Sequence, residues 1–349
     1  GSSSIQSVTD LAIETIKSLK VKKPVMAARL LDQKSYIQYL MGSYEKSSTN
    51  SNKAISILEN EVIAKDSIER SEMTSSLSLA LKGKSRTLSA LSRLPEALKA
   101  SLLSIQTWEN GGIKDLKIQL SSLVQYARVL QKMANYDGTI LVLEQVLSKS
   151  KQAYGEEHVE TLINSGNLAA AYYKGEKYVM ADSLNWLAYQ GLKEKLGPKH
   201  NLTVGVLYNL ANSKQTHREY EDAAVFYQLV LAADLENLGE NHPYVGGDYM
   251  TIGMVHSANG KYQLAEEYYK NALDNYRNSL GEEHFRVADV YRLLGDLYQE
   301  KDDYLTALKW YRQSVAITEK VLEPNHLDHV NTQKLIFMVR FQYFFGDSY

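Results

Sequence analysis

A histidine-bearing signature returns every 42 residues along this chain: Gly155-Glu-Glu-His158, Gly197-Pro-Lys-His200, Gly239-Glu-Asn-His242, Gly281-Glu-Glu-His284 and, without its glycine, Glu323-Pro-Asn-His326. Self-similarity at a period of roughly 20–50 residues marks a stacked array of small units rather than one globular core. Each unit contacts mainly its neighbours, and the stack leaves long concave surfaces. The expected activity is therefore holding another molecule, not transforming it.

The same step relates Tyr136, Tyr178, Tyr220, Tyr262 and Tyr304, with Leu94 one step earlier. Three residues further on stand Ala97, Thr139, Ala181, Ala223, Ala265 and Ala307. Between each histidine and the next tyrosine, residues such as Val287, Tyr291, Leu294 and Tyr298 repeat at steps of three and four, which draws one apolar stripe on a helix. A second stripe follows each alanine, as in Leu264, Tyr268, Ala272 and Leu273, or Ala307, Trp310, Tyr311 and Val315. Each unit reads as two antiparallel helices joined at a short polar turn such as Ala258-Asn259-Gly260-Lys261. The alanines permit close approach of paired helices, and the tyrosines fill the gaps between units. Gly155, Gly197, Gly239 and Gly281 follow the long second helix, where glycine supplies a left-handed terminating residue.

These residues resemble the tetratricopeptide repeat, whose pattern runs aromatic, Leu-Gly, Tyr, then Ala with an aromatic four residues later. Tyr291, Leu294, Gly295, Tyr298, Ala307 and Tyr311 match throughout. Tyr249, Ile252, Gly253, Ala265 and Tyr269 match as well, with His256 in the tyrosine's place. The family's usual period is about 34 residues, and the longer step with Leu238-Gly-Glu-Asn-His-Pro-Tyr-Val245 is similar to the kinesin light chain type of repeat. The resemblance spans about residues 72–326. It implies an all-α, right-handed superhelical solenoid of antiparallel helix pairs, with cargo adaptation as one role, although this chain has no sustained heptad pattern to join a heavy chain.

The expected organisation is N-terminal helices in 1–70 with a degenerate repeat, six helix pairs in 71–326, and an apolar C-terminal helix in 327–349. Ile5, Val8, Leu11, Ile16 and Leu19 draw one amphipathic helix, and Pro24 opens a second that is expected to run to about Lys46. Ser47-Ser-Thr-Asn-Ser-Asn52 reads as a polar loop, with Ala54 within one residue of the repeat register. Trp108-Glu-Asn-Gly-Gly112 marks a turn where later joints carry Gly-x-x-His. Lys334-Leu-Ile-Phe-Met-Val-Arg-Phe-Gln-Tyr-Phe-Phe345 is more apolar than a terminal helix exposed to water. Three arrangements suit it: packing on the last repeat, homodimerisation through the leftover apolar face, or docking into a groove.

Composition narrows the chemistry. Cysteine is absent, which excludes disulfides, thiolate zinc sites and cysteine nucleophiles. Net charge is −2 and cations are dispersed, the densest group being Lys17, Lys20, Lys22 and Lys23, so neither nucleic acid nor an anionic membrane is expected. No apolar run approaches the roughly 20 residues of a membrane span. Gly1-Ser2-Ser3-Ser4 has the composition of a cloning remnant, and the cytoplasm is the expected location, with room for a lost targeting segment. Equivalent histidines of adjacent repeats lie on the order of 10 Å apart, too far for a shared metal. Gly83-Lys84-Ser85 imitates a phosphate loop, but Ser78 stands where its first glycine belongs and no strand precedes it. Glu156-Glu157 and Glu282-Glu283 flank helix starts, where the dipole favours carboxylates. Asn201-Leu-Thr203 accepts a glycan only in a secreted protein. No catalytic residue, cofactor or metal is expected.

The remaining candidate is the groove. In tetratricopeptide arrays the first helix of each pair lines the concave side, and its outward face here carries Val124, Arg128 and Gln131, then Ile163, Ala170 and Tyr173, then Tyr208, Asn212 and Gln215. Met250, Met254 and Ser257 follow, and last Asp289, Arg292, Asp296 and Gln299. Apolar, aromatic and charged residues in sequence suit an extended peptide segment of a partner protein. Methionine adapts to irregular partners, and tyrosine and arginine often dominate binding energy. Relatives that grip a terminal carboxylate use lysine and asparagine on this face. Asn212 is present, and the lysines are read as missing. The alternative is a regulatory or self-assembling subunit whose groove or end is filled by its own apolar C-terminal segment.

Overall fold

The computed structural model describes residues 24–62, 67–321 and 327–345. All fifteen elements among them are α-helices. They are α1 Pro24–Leu40, α2 Tyr44–Val62, α3 Ser67–Ala90, α4 Leu94–Asn110, α5 Leu116–Lys132, α6 Tyr136–Tyr154, α7 Val159–Lys174 and α8 Tyr178–Leu196. Next come α9 Asn201–Thr216, α10 Tyr220–Leu238, α11 Pro243–Ala258, α12 Tyr262–Leu280, α13 Phe285–Glu300, α14 Tyr304–Val321 and α15 Leu327–Phe345. The chain forms two compact units, Gly1–Ala181 and Asp182–Tyr349, whose boundary falls inside α8. The segment through Leu19, the lysines at 17, 20, 22 and 23, and His326 lie outside the described residues.

In the first unit each helix from α1 to α6 packs on the next, and α1, α3 and α5 also pack on one another in turn. In the second, α9 to α15 pack sequentially and α11 meets α13. The tyrosine series and Leu94 open α4, α6, α8, α10, α12 and α14. The alanine series and Thr139, one turn later, have no exposed surface. That position admits a methyl or a hydroxyl because the partner helix leaves no room for more.

The two kinds of turn differ in backbone. Between first and second helices the turn residue takes positive φ at Ser92, Ala134, Glu176, Arg218, Gly260 and Asp302, again one per 42 residues. Only one of the six is glycine, and a left-handed non-glycine residue costs roughly 1–2 kcal/mol. Ala134→Gly and Glu176→Gly are therefore expected each to stabilise the chain by about 0.5–1 kcal/mol after the extra unfolded-state entropy of glycine is subtracted. Thermal unfolding of the single and double variants checks this. Midpoints at or below that of the parent chain would refute it.

At the joints between pairs, glycine does more than end a helix. Gly155, Gly239 and Gly281 have φ of 85°, 84° and 95° with ψ of 168°, 159° and 161°. This is not the left-handed helical region expected from the sequence but an extended mirror region that essentially only glycine enters. The chain then turns back through a histidine that caps the following helix. The Nδ1 atoms of His158, His200 and His242 each accept from a backbone N–H two residues on at 3.2 Å, and that of His284 at 3.1 Å. Each satisfies one of the donors that a helix start leaves without a partner. Asp115 does the same for α5, its Oδ1 accepting from Lys117 at 2.9 Å.

The N-terminal region departs from the sequence reading. The helix that Pro24 opens ends at Leu40, and Ser47–Asn52 is not a loop but the interior of α2. Its register also shifts: Tyr44 opens α2 as Leu94 opens α4, which puts Ser47 rather than Ala54 at the alanine position. The hydroxyls survive burial by bonding one another, Ser35 to Ser47 at 2.9 Å and to Ser51 at 2.7 Å, and Ser47 to Thr87 at 2.9 Å. Trp108 likewise belongs to α4, and the turn after it begins at Gly111. At the other end α15 packs Val339 against Ala307, Leu308 and Tyr311. Phe337, at 71% exposure, and Met338 face away.

Candidate functional site

The residues expected to line a groove fall in step. At intervals of 42, one position of the first helices holds Lys82, Val124, Gly166, Tyr208, Met250 and Arg292. One turn on it holds Arg86, Arg128, Ala170, Asn212, Met254 and Asp296. Ile163 lies a turn before this stripe, equivalent to Gly205 and Gly247. Most of the stripe is half-buried, with Arg128 and Met254 exposed.

Several of these residues also have a part inside their own repeat. The buried Tyr227 hydroxyl lies 2.7 Å from Asn212 Oδ1 and 3.0 Å from Gln215 Oε1. Tyr311 repeats the arrangement at 2.7 Å from Asp296 Oδ1 and 3.0 Å from Gln299 Oε1, and Tyr269 bonds Ser257. Arg292 pairs with Asp296 at 2.7 Å, and Tyr208 meets the Tyr227 ring edge-on at 5.4 Å. Tyr173 stacks edgewise on Tyr178. Burial, then the charge of Asp296, raises the Tyr311 phenol far above its ordinary range, so it stays a donor.

In the first unit, the expectation that lysine is missing from this face is wrong. Lys82 and Arg86 on α3 join Arg128 on α5, facing Asp32 on α1. Lys82 Nζ donates to Ser121 Oγ at 3.0 Å, and the Arg86 guanidinium stands over the rings of Tyr36 and Tyr39 at 4.4 and 4.8 Å. Burial lowers the Lys82 ammonium, helped by Arg86. Burial also raises the Asp32 carboxyl, against the pull of Arg86 and Lys82. Asp32 reaches this place because residue 83 is glycine: a Cβ there would stand 3.0 Å from its Oδ1. The Gly83-Lys-Ser85 sequence is thus mid-helix, with Ser85 donating to the Ala97 carbonyl. Stepping back 42 residues from Val124 and Arg128 would have found both cations.

In the second unit a cavity of about 690 Å³ opens beside the stripe, walled by Tyr208, Met250, Val230, Leu238 and Tyr276. Its polar surface includes Asp234 from α10 and Asp248 from α11, which hydrogen-bond to each other. Neither acid was singled out from the sequence. Burial, then the neighbouring Asp234 charge, drives the Asp248 carboxyl well above the ordinary carboxylate range, so the pair shares a proton. Among the described residues no group of three or more His, Asp or Glu side chains is disposed to hold a metal, and no helix is long and apolar enough to cross a membrane.

Helix pairs stacked in register, with one face of the first helices free of the pair's own core, define an α-helical repeat protein. Residues 249–320 and 120–160 match models of the tetratricopeptide repeat, and the chain carries tetratricopeptide repeats in those segments, with units that resemble those of kinesin light chain. Nearly identical TPR-like repeats assigned to a kinesin light chain of Podosopora anserina are 23% identical, with a TM-score of 0.54 over 58% of this chain and 96% of that one. Aspartyl phosphate phosphatase F from Bacillus subtilis is 15% identical, with a TM-score of 0.57 over 97% and 90%. A Rap protein complexed with competence and sporulation factor is 11% identical, with a TM-score of 0.52 over 96% and 98%. At these identities the likeness is one of fold. No curated protein matches the sequence.

Proposed function

We propose that this chain is a non-enzymatic scaffold that binds an extended segment of a partner protein along the exposed face of its first helices, with helix pairs in 71–326 as the recognising array. The fold is that of an interaction scaffold, and the observation that carries the finer reading is the cavity in the second unit. It sits beside Tyr208 and Met250, two residues of the stripe, and offers aromatic and thioether surface beside a few polar groups, the composition of a recognition pocket. A Rap protein of similar fold is complexed with competence and sporulation factor, which supports the reading. A helix face this irregular suits side chains inserted one at a time from an extended strand.

The test is selection of random dodecapeptides on the full chain, followed by affinities of the selected peptides for variants. Tyr208→Ala with Met250→Ala is expected to weaken them at least tenfold, as truncating aromatic anchors does. Val225→Ala, on the exposed side of a second helix, should leave them unchanged. Equal affinities for both variants would place the peptides elsewhere and reject the assignment.

A further inference from the structure

Charge on the stripe is treated in opposite ways at its two ends. In the last repeat Arg292 is met one turn on by Asp296 at 2.7 Å, so the face neutralises itself. At the same two places the first unit has Lys82 and Arg86, a like-charged pair one turn apart that weakens a helix instead of supporting it. The fold does not ask for charge there, since three intervening repeats carry Gly166 with Ala170, Tyr208 with Asn212 and Met250 with Met254. Arg128 on α5 adds a third cation, and after burial its charge is among those that hold Lys82 and Arg86 below their ordinary values. Arg128 is exposed and, among the described residues, makes neither a hydrogen bond nor an ion pair. The acid facing the group is Asp32, whose carboxyl burial holds above the ordinary range in spite of these cations. Three cations thus meet one weakened counter-charge, an excess of two or more. Their donors are not used up within the fold: Lys82 spends one of three on Ser121, and Arg86 is braced over the rings of Tyr36 and Tyr39 with no ion pair among the described residues.

We infer that Lys82, Arg86 and Arg128 form a subsite for a phosphorylated side chain, phosphoserine or phosphothreonine, of the segment that the stripe binds. This rests on the peptide-binding reading and makes attachment depend on phosphorylation of the partner. A phosphoryl group carries a charge of about −1.5 to −2 at pH 7 and three acceptor oxygens, which matches the excess of charge and offers one oxygen to each cation. A carboxylate has only one negative charge and leaves part of the repulsion standing. Guanidinium groups pair with phosphate through two parallel donors, and the brace on Tyr36 and Tyr39 fixes one of them before the ligand arrives.

The experiment titrates the full chain at pH 7 and low salt into N-acetyl-phosphoserine methylamide, followed by its ³¹P resonance, with N-acetyl-glutamate methylamide as competitor. The phosphoserine probe should bind saturably and at least about tenfold more tightly than the glutamate probe displaces it. Arg128→Gln, at an exposed position, should weaken the probe at least about fivefold, and so should Lys82→Gln. Lys117→Gln, which removes the same charge from an exposed position of the same helix as Arg128, should leave it unchanged. No saturable shift, a glutamate probe that competes on equal terms, or binding indifferent to both Arg128→Gln and Lys82→Gln would each overturn the inference. Sedimentation of the chain with phosphatidylserine vesicles, lost in Arg128→Gln, would assign the cluster to a lipid surface and overturn it as well. The probe reads the first unit alone, so its failure rejects the subsite while selection of peptides through Tyr208 and Met250 still decides the proposed function.

Discussion

Tyr311→Ala should lower the stability of the second unit by about 3–5 kcal/mol, the range for deleting a large buried aromatic. Tyr311 has no exposed surface. Its ring presses on the helix opposite so closely that a Cβ on Gly295 would stand 2.4 Å from Cε1, and its hydroxyl is held by Asp296 and Gln299. The same contact predicts a change of sign. In the parent chain Gly295→Ala overpacks the site and should cost roughly 1–3 kcal/mol. With Tyr311→Ala in place the obstacle is gone, and the alanine should stabilise by up to about 1 kcal/mol through helix propensity. The repeat two steps earlier shows how ring and methyl can coexist, since Ala211 and the buried Tyr227 occupy the equivalent places. Urea unfolding of the four chains, with hydrogen exchange to locate the opening unit, measures the cycle; additive effects would deny that these residues touch as described.

The second large effect is a pH dependence of unusual sign. Burial first, then the charge of and hydrogen bond to Asp234, push Asp248 up to about 8, against 3.8 for the free group. Between those values the folded chain keeps a proton that the unfolded chain has lost. Stability therefore falls as pH rises from about 4 to about 8, by at most about 1.4 kcal/mol per unit for a single group, and levels off above. His256, held below its ordinary value mainly by burial, opposes this below about pH 6.5, where acid favours the unfolded chain. Asp248→Asn removes the falling limb. Its thermal midpoint should exceed that of the parent chain at pH 8 and approach it at pH 4. Parallel midpoints across that interval would refute the shared proton.

Much of the array was legible because its steric demands recur. Six second helices open at the expected residue, and six alanine or threonine positions are sealed, since one spacing governs a contact made over and over. The start and register of the helix Tyr44–Val62 were not legible for a physical reason. Ser47–Asn52 has the composition of a loop, and only Ser35 and Thr87, on other helices, turn it into helix by taking up its hydroxyls. The site divides the same way. Lys82 and Arg86 obey the 42-residue step and were within reach of it. Asp234 and Asp248 sit on different helices at positions with no acidic equivalent in the next repeat, Tyr276 and Val290, and only the packing of α10 on α11 joins them.

The capping histidines carry one more implication. An imidazole that accepts through Nδ1 keeps its hydrogen on Nε2, so four joints share a single tautomer, selected by backbone geometry rather than by any neighbouring side chain. A transition metal can reach Nδ1 of these residues only by uncapping a helix. What looks along the sequence like a row of ligands is a row of lone pairs already spent on the main chain.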